Sequence, residues 1–484
     1  MSTIPSFSDY TPPGVLVREE VRPLLNVAGL AQTVVGIVGP SKGYRTTTES
    51  LSLPGTTTIL LAQEGIDTST IEVRSSTGIL YIEDTDYETT VIAGEAADGS
   101  EDTIEINRMT TGDIEDGQRV FVSYQFTDSE YYAPHRFQNY DEVQSYYGEG
   151  LDITDDTVQS PLSLAARVAM QNGAREVVLL AVEQSGSSVD RTDLGSAYNQ
   201  LLATPEVTIV VPLPVGISGT DGDPGDAGGA ADDLDNHVRE ATDNGMPRIG
   251  IFGYDRTISM TPTTISQDVQ SKRTMVAYPN RLRYHNSRTN NTFEVSGYYL
   301  AAAYAGRFAG QQVQEPLTRK RVRGFAGIPS DLQQEMTISL MNSYSSGGVA
   351  VTEVDRSQRL IVRHGVSSDV SDLMAREINL VRASDALTLL LNNTMDDSGL
   401  IGSTIDEETA NTVRSITLGA LETAMDNGLI VNHRNLLVRQ ILGDPSVIEV
   451  KFQYQPAYPL NYIVVVYSVN VQTGEVDTAT EVAA

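Results

Sequence analysis

The chain has 484 residues, 40% hydrophobic and 20% charged, with 33 Lys and Arg against 64 Asp and Glu for a formal net charge of −31. That length exceeds what one hydrophobic core spans and implies about two to four domains. The acidity argues against a nucleic-acid partner, the absence of cysteine excludes disulfides and thiolate chemistry, and no apolar run reaches the roughly 18 residues needed to span a bilayer.

The first ten residues carry neither a basic patch nor an apolar run, so they do not read as a signal peptide. Next comes "YTPPGVLVREEVRP". Residues 15–20 have the pattern of a strand, and Pro12, Pro13 and Pro23 keep them out of any helix. A lone strand so far from other strand signals needs a pairing partner.

Residues 51–131 hold 17 Asp and Glu against three Lys and Arg. They read as short strands, "TIEVRS", "GILYIE", "TIEINRM" and "RVFVSYQF", separated by Gly and Asp turns. Val120, Val122 and Gln125 are expected on one face of the last strand, with Phe121 and Ser123 on the other. No helical period appears, so this stretch is expected to be a small all-β domain inserted into something larger.

From residue 132 the texture changes. "SPLSLAARVAMQNGAREVVLLAVE" predicts a helix, a stop at Asn172-Gly173 and a buried strand. "DDLDNHVREATDNGMPRIGIFGYD" repeats that plan with Asn244-Gly245, and "VTIVVPLPVG" is an apolar strand between them. Alternating strands and helices imply an α/β layer with a largely parallel sheet. The Gly/Asp stretch 216–236 contains Asp221, Asp223 and Asp226. An EF-hand loop would need a ligand, a glycine and a glutamate where Gly225, Asp226 and Asp232 stand. It therefore reads as an acidic loop, and no metal is expected.

Further on, Arg319, Lys320, Arg321 and Arg323 form a basic cluster in "PLTRKRVRG". It reads either as a solvated loop or as a contact with an acidic surface of another copy. From Asp369, the apolar residues Val370, Leu373, Met374, Ile378, Val381, Leu387, Leu390 and Leu391 predict one long helix. Thr404 and Glu407 predict a capping box for the next helix, which carries Val413, Ile416, Ala420, Leu421 and Ala424 and ends at Asn427-Gly428. In "SVIEVKFQYQ", Ile448, Val450, Phe452 and Tyr454 face one way, and Glu449, Lys451, Gln453 and Gln455 the other. The strand 462–471 is apolar on both faces, Ile463, Val465 and Tyr467 against Val464 and Val466, so it must be covered by a sheet of its own chain or of a neighbour.

The five histidines are scattered, and no zinc-protease pair, nucleophile elbow, phosphate loop or dinucleotide fingerprint is present. No catalytic residue and no cofactor is assigned.

Taken in order, "PPGVLVREE", "QTVVGIVGPSKGY", "LSLAARVAMQNGAREVVLLAV", "TMVAYPNRLRYHN", "GYYLAAAYAGRFA", "NHRNLLVRQI" and "YPLNYIVVVYSV" resemble the tail sheath proteins of contractile phages. The resemblance covers roughly residues 10–48 and 132–470. The segment 51–131 resembles small insertion domains of phage tail proteins, through "DYETTV" and "DIEDGQRVFVSYQF". The resemblance implies a multidomain α/β and β fold. Its parts would be an N-terminal strand-exchange arm (1–22), an α/β sheath core (23–50 and 132–355), an inserted acidic β domain (51–131), a C-terminal α+β assembly domain (356–460) and a C-terminal arm (461–484). It implies a structural subunit, not an enzyme, that stacks as six-fold rings around a tail tube and contracts to drive the tube through the host envelope. The arms, through Val15, Leu16 and Val17 and through Ile463, Val465 and Tyr467, would pair in neighbouring copies, with Ile448, Val450, Phe452 and Tyr454 on the acceptor sheet. Implied partners are further copies of the chain, the tube protein, and baseplate and tail terminator proteins, without nucleic acid or membrane insertion. The implied location is the virion, after assembly in the host cytoplasm. Competing readings are the sheath of a phage-derived injection machine, an α/β enzyme with a β insertion, and a monomeric acidic binding protein.

Overall fold

The computed structural model describes residues 33–94, 102–127, 129–152, 154, 156–183, 189–215, 229–254, 257–258, 260–406, 408–441, 444–465, 468–469 and 476–477. The 15–20 segment, Tyr467 and the Asp221 to Asp226 stretch lie outside these residues.

Strands Val34–Gly39, Val177–Ala181, Ile249–Phe252 and Thr274–Tyr278 are buried at every position, and Val207–Pro212 at all but one. Burial of both alternating faces requires cover on both sides of the sheet, which parallel strands obtain from their crossover helices. These strands belong to an eight-stranded sheet. Its order from one edge is Leu360–Val362, Val349–Val354, Thr274–Tyr278, Ile249–Phe252, Val207–Pro212, Val34–Gly39, Val177–Ala181 and His135–Phe137. The six inner strands are mutually parallel and the two edge strands antiparallel.

Helices Pro161–Asn172 and Tyr298–Ala309 pack on each other and on the middle of the sheet, while Arg191–Leu201, Ala230–Asp243 and Pro262–Val269 form a second layer. The first helix starts where its pattern predicts. Ser160 caps it, Pro161 occupies the first turn, and Gly173 ends it with φ of 122°. Its contact with Tyr298–Ala309 is made by backbone. A Cβ on Gly306 would overlap the Ala169 carbonyl, and one on Gly173 would stand 2.8 Å from Gly310 Cα. Gly306→Ala is therefore expected to force the helices apart and cost about 2–3 kcal/mol, read as a lower thermal midpoint. A midpoint equal to the parent's would show that the close approach contributes nothing.

The acidic segment folds on its own core. A four-stranded sheet, Arg45–Leu53, Gln118–Phe126, Ile66–Ser75 and Leu80–Tyr81, lies with a three-stranded one, Ile59–Glu64, Thr103–Arg108 and Tyr87–Ile92. Every pairing within both is antiparallel. The strand Arg45–Leu53 straddles residue 50 and pairs along its whole length with Gln118–Phe126. Val120, Val122, Tyr124 and Phe126 fill the core. Gln125 does not share their face, because a period of two puts Tyr124 there instead. The chain enters and leaves this unit side by side. Tyr131 Oη accepts from the Gly43 amide at 3.1 Å and donates to Ser41 Oγ at 2.8 Å, and Thr127 Oγ1 donates to the Gly43 carbonyl at 2.7 Å.

Two helix boundaries depart from expectation. The long helix from Asp369 is broken: Asp372 caps a single turn, Leu373–Arg376, then Glu377 is extended at φ −87° and ψ 96°, and the helix proper is Ile378–Asp397. Val370, Leu373 and Met374 are consequently exposed. The next helix is Thr409–Asp426, and the carboxylate that accepts its first amides is Asp406, bonded to the Thr409 amide at 2.8 Å, rather than the Thr404 hydroxyl. These two helices hold an antiparallel hairpin, Ile430–Ile441 with Asp444–Pro456.

Candidate assembly interface

The stretch 461–465 carries no strand. Ile463 and Val465 are each 77% exposed, Val464 is 84% exposed, and Leu460 and Tyr462 are also uncovered. A central strand in the chain's own sheet is thus overturned for these residues, and the next pairing is a short hairpin, Ser468–Val469 with Val476–Asp477. Exposed apolar residues in unbroken succession mark a surface that awaits a partner.

Its root is held firmly. Asn461 Nδ2 donates to Glu377 Oε1 at 2.9 Å, and His364 Nε2 lies 2.9 Å from the same oxygen. Arg376 Nη2 approaches it at 3.4 Å. Glu377 is fully buried, and its Oε2 has no hydrogen-bond partner among the described residues. Burial alone would raise the Glu377 pKa, but the His364, Asn461 and Arg376 contacts outweigh it and hold the carboxyl below its ordinary 4.5. A depressed folded pKa contributes stability that is complete above the unfolded value and lost as pH falls through the folded one. The thermal midpoint should therefore fall as the pH drops below about 4.5, and Glu377→Gln should flatten that fall. Parallel pH profiles for parent and variant would show that another group controls it.

The first described residue is pinned to the same helix. Arg382 Nη2 donates to Thr33 Oγ1 at 3.1 Å, and its guanidinium lies 4.5 Å over the Phe308 ring. Burial pushes the Arg382 pKa down to about 9. Beside it, Arg273 grips Asp385 through two bonds of 2.7 and 2.9 Å. Glu377 and Arg382 are five residues apart, about 7.5 Å along a helix axis. The segments running toward both ends of the chain thus leave from the start of one helix.

The expected acceptor strand faces the way its alternation predicts. Phe452 and Tyr454 pack on the cluster of Ala383, Leu387, Leu390, Leu421 and Ala424, and Tyr454 Oη donates to Ser384 Oγ at 3.3 Å. Lys451, Gln453 and Gln455 are exposed as expected, whereas Ile448, Glu449 and Val450 are all half-buried, so the alternation in burial holds from Lys451 to Gln455 only. The hairpin is a two-stranded sheet. Its outer backbone edges are open among the described residues, the geometry that accepts an added strand.

The basic cluster is an edge cover, not a loose loop. The Arg319 amide donates to the Val362 carbonyl at 2.7 Å, Val362 to Lys320 at 2.9 Å, and Val322 to Leu360 at 2.9 Å, so 319–322 extends the large sheet past its last strand. Arg319 pairs with Glu353 at 3.0 Å and Lys320 with Glu315 at 2.9 Å. Arg321 and Arg323 are exposed and have no acidic partner among the described residues.

Sequence reasoning missed Glu377, His364, Arg382 and Thr33. The one available signal was Asn461, a lone amide inside the apolar run "YPLNYIVVVY". Val15, Leu16, Val17 and Tyr467 lie outside the described residues. Among the described residues, no group of three or more His, Cys, Asp or Glu is placed to hold a metal, and no helix is long and apolar enough to cross a membrane.

The architecture is similar to the helical sheath of the anti-feeding prophage in its contracted state, with a TM-score of 0.54 at 12% identity, covering 95% of this chain and 100% of that one. The contracted sheath of the extracellular contractile injection system PVC gives 0.51 at 12% identity, covering 97% and 99%. The fold is therefore that of contractile sheath subunits. The tail sheath protein of Mycobacterium phage Bxz1 is 33% identical over 465 residues, 94% of this chain and 77% of that protein. The tail sheath protein of a Bacillus phage, SP01, is 22% identical over 203 residues, 41% of this chain and 33% of that protein. No protein-family profile matches the chain. The chain belongs to the family of phage tail sheath proteins, and its role is structural.

Proposed function

We propose that the chain polymerises as stacked six-fold rings around a tail tube and shortens to drive that tube through the host envelope. The observation that carries this is the uncovered apolar residues Leu460 and Tyr462 to Val465, which follow in sequence a hairpin with open edges. Among the described residues, 462–465 and the hairpin are two halves of a joint that one copy does not close on itself. Donation of 462–467, and of 15–20 from the other end, to a neighbour's hairpin closes it by strand addition. Each donated strand supplies about four to six backbone bonds of about 1 kcal/mol net. Each of Val15, Val17, Ile463 and Val465 buried adds roughly 1.5–3 kcal/mol, less the cost of ordering a free arm.

Such links hold neighbours together while the cores between them turn as rigid bodies. The driving force is the greater contact of the contracted lattice, so no nucleotide is consumed. The chain divides for this task into the two arms (1–22 and 461–484), the α/β core, whose sheet takes in Leu360–Val362, the assembly domain that follows that strand, and the acidic β unit, which begins with the strand Arg45–Leu53. Like charge packed against a tube or another ring is unfavourable, so the acidic unit faces outward. Further partners are the tube protein, the baseplate and the terminator at the ends of the polymer. The place of action is the virion, after assembly in the host cytoplasm.

Electron microscopy of the purified protein tests this reading. Long hollow tubes of constant diameter are expected, and discrete particles at every concentration would overturn it.

A further inference from the structure

A hollow of about 420 Å³ opens beside the covered edge of the large sheet, lined by Arg283, Arg321, Arg323 and Arg359 around Phe325 and Ile328. Arg359 holds Asp355 at 2.8 Å. The other three guanidiniums have no acidic partner among the described residues, in a chain where acids outnumber bases almost two to one. Glu294, the cross-strand neighbour of Arg283, is taken by Arg281 at 3.2 Å.

The hollow is built on fixed main chain. Buried Asn172 clamps Arg323 from both sides: its Nδ2 donates to the Arg323 carbonyl at 3.0 Å, and its Oδ1 accepts from the Arg323 amide at 2.9 Å. The Arg283 amide donates to Gly327 at 2.9 Å, and its carbonyl accepts from Ala326 at 2.7 Å. Three guanidiniums without acidic partners around one hollow repel one another, and the fixed main chain holds their attachment points in place. A carboxylate-bearing segment relieves the repulsion and binds with little ordering cost on this side.

We propose that this hollow receives the acidic segment 474–484 of a second copy of the chain, with Val476–Asp477 released from their pairing with Ser468–Val469. That segment, "GEVDTATEVAA", has Glu475, Asp477 and Glu481 and no Lys or Arg. The volume fits an extended peptide bearing one or two side chains rather than a folded face. The choice of a second copy rests on the donation of 462–467 proposed above, since residues C-terminal to a donated strand emerge on the recipient. Arg319 and Lys320, already paired within the chain, are not part of the seat.

The chain has no cysteine, so single cysteines report the contact cleanly. Ser330→Cys lines the hollow and Thr480→Cys sits beside Glu481, and neither removes a charge. Full-length chains carrying one or the other are mixed, assembled into tubes and treated with a short bismaleimide. A product of two joined chains is expected. Its yield should fall at least about tenfold with Arg321→Glu and Arg323→Glu, and equally with Glu475→Gln, Asp477→Gln and Glu481→Gln, which leave the hollow intact. Normal tubes without that product would overturn the docking site and leave strand donation standing. A chain carrying both cysteines that joins only to itself would overturn the second copy as the source. Failure of the parent to form tubes would overturn the donation and this proposal together.

Discussion

Val465→Pro is expected to abolish tubes while the monomer keeps its melting midpoint to within about 2 °C. Val465 is 77% exposed and joins no ladder among the described residues, so the monomer is expected to lose neither packing nor a hydrogen bond. In a donated strand the same change removes one ladder donor and jams the ring against the partner. The loss per joint is about 1 kcal/mol for the bond, plus whatever register is lost, and it recurs at every subunit of the polymer. Circular dichroism melting and sedimentation separate the two effects. A midpoint lower by many degrees would place the strand in the chain's own core.

Deleting residues 1–22 should likewise leave a soluble, folded chain that no longer polymerises. Those residues precede Thr33, whose hydroxyl is anchored on Arg382, so the root stays in place and the sheet strand Val34–Gly39 keeps both parallel neighbours. Far-UV circular dichroism should match the parent. Normal polymerisation of the truncated chain would show that 15–20 is not a linking strand.

Much of the fold was legible because it is local. Helices ending at Asn172-Gly173, Asn244-Gly245 and Asn427-Gly428 stop where the turn chemistry allows positive φ, and glycines 173, 245 and 428 adopt it. The alternation from Lys451 to Gln455 gave the inner face at Phe452 and Tyr454, because a period of two needs no knowledge of the partner. What was not legible depends on distant residues. The break at Glu377 is set by His364 and Asn461, 13 and 84 residues away. A period-3.6 pattern runs straight across it, so apolar spacing alone predicted one helix. The basic cluster gave no sign that it covers a sheet edge, since Leu360–Val362 lies some forty residues further on. Half of its charge is consumed by Glu353 and Glu315, while Arg283, from a different strand, completes the hollow. Net composition showed that free positive charge would be scarce, but only the fold shows which arginines are left without partners.

The central claim is that both ends of the chain cross to other copies. Cryo-electron microscopy of assembled tubes, at a resolution that traces side chains, tests it most directly. The account predicts density for 15–20 and for 462–467 running as added strands beside the Ile430–Ile441 and Asp444–Pro456 hairpin of neighbouring chains. Tubes in which both segments fold back onto the chain that carries them would contradict it.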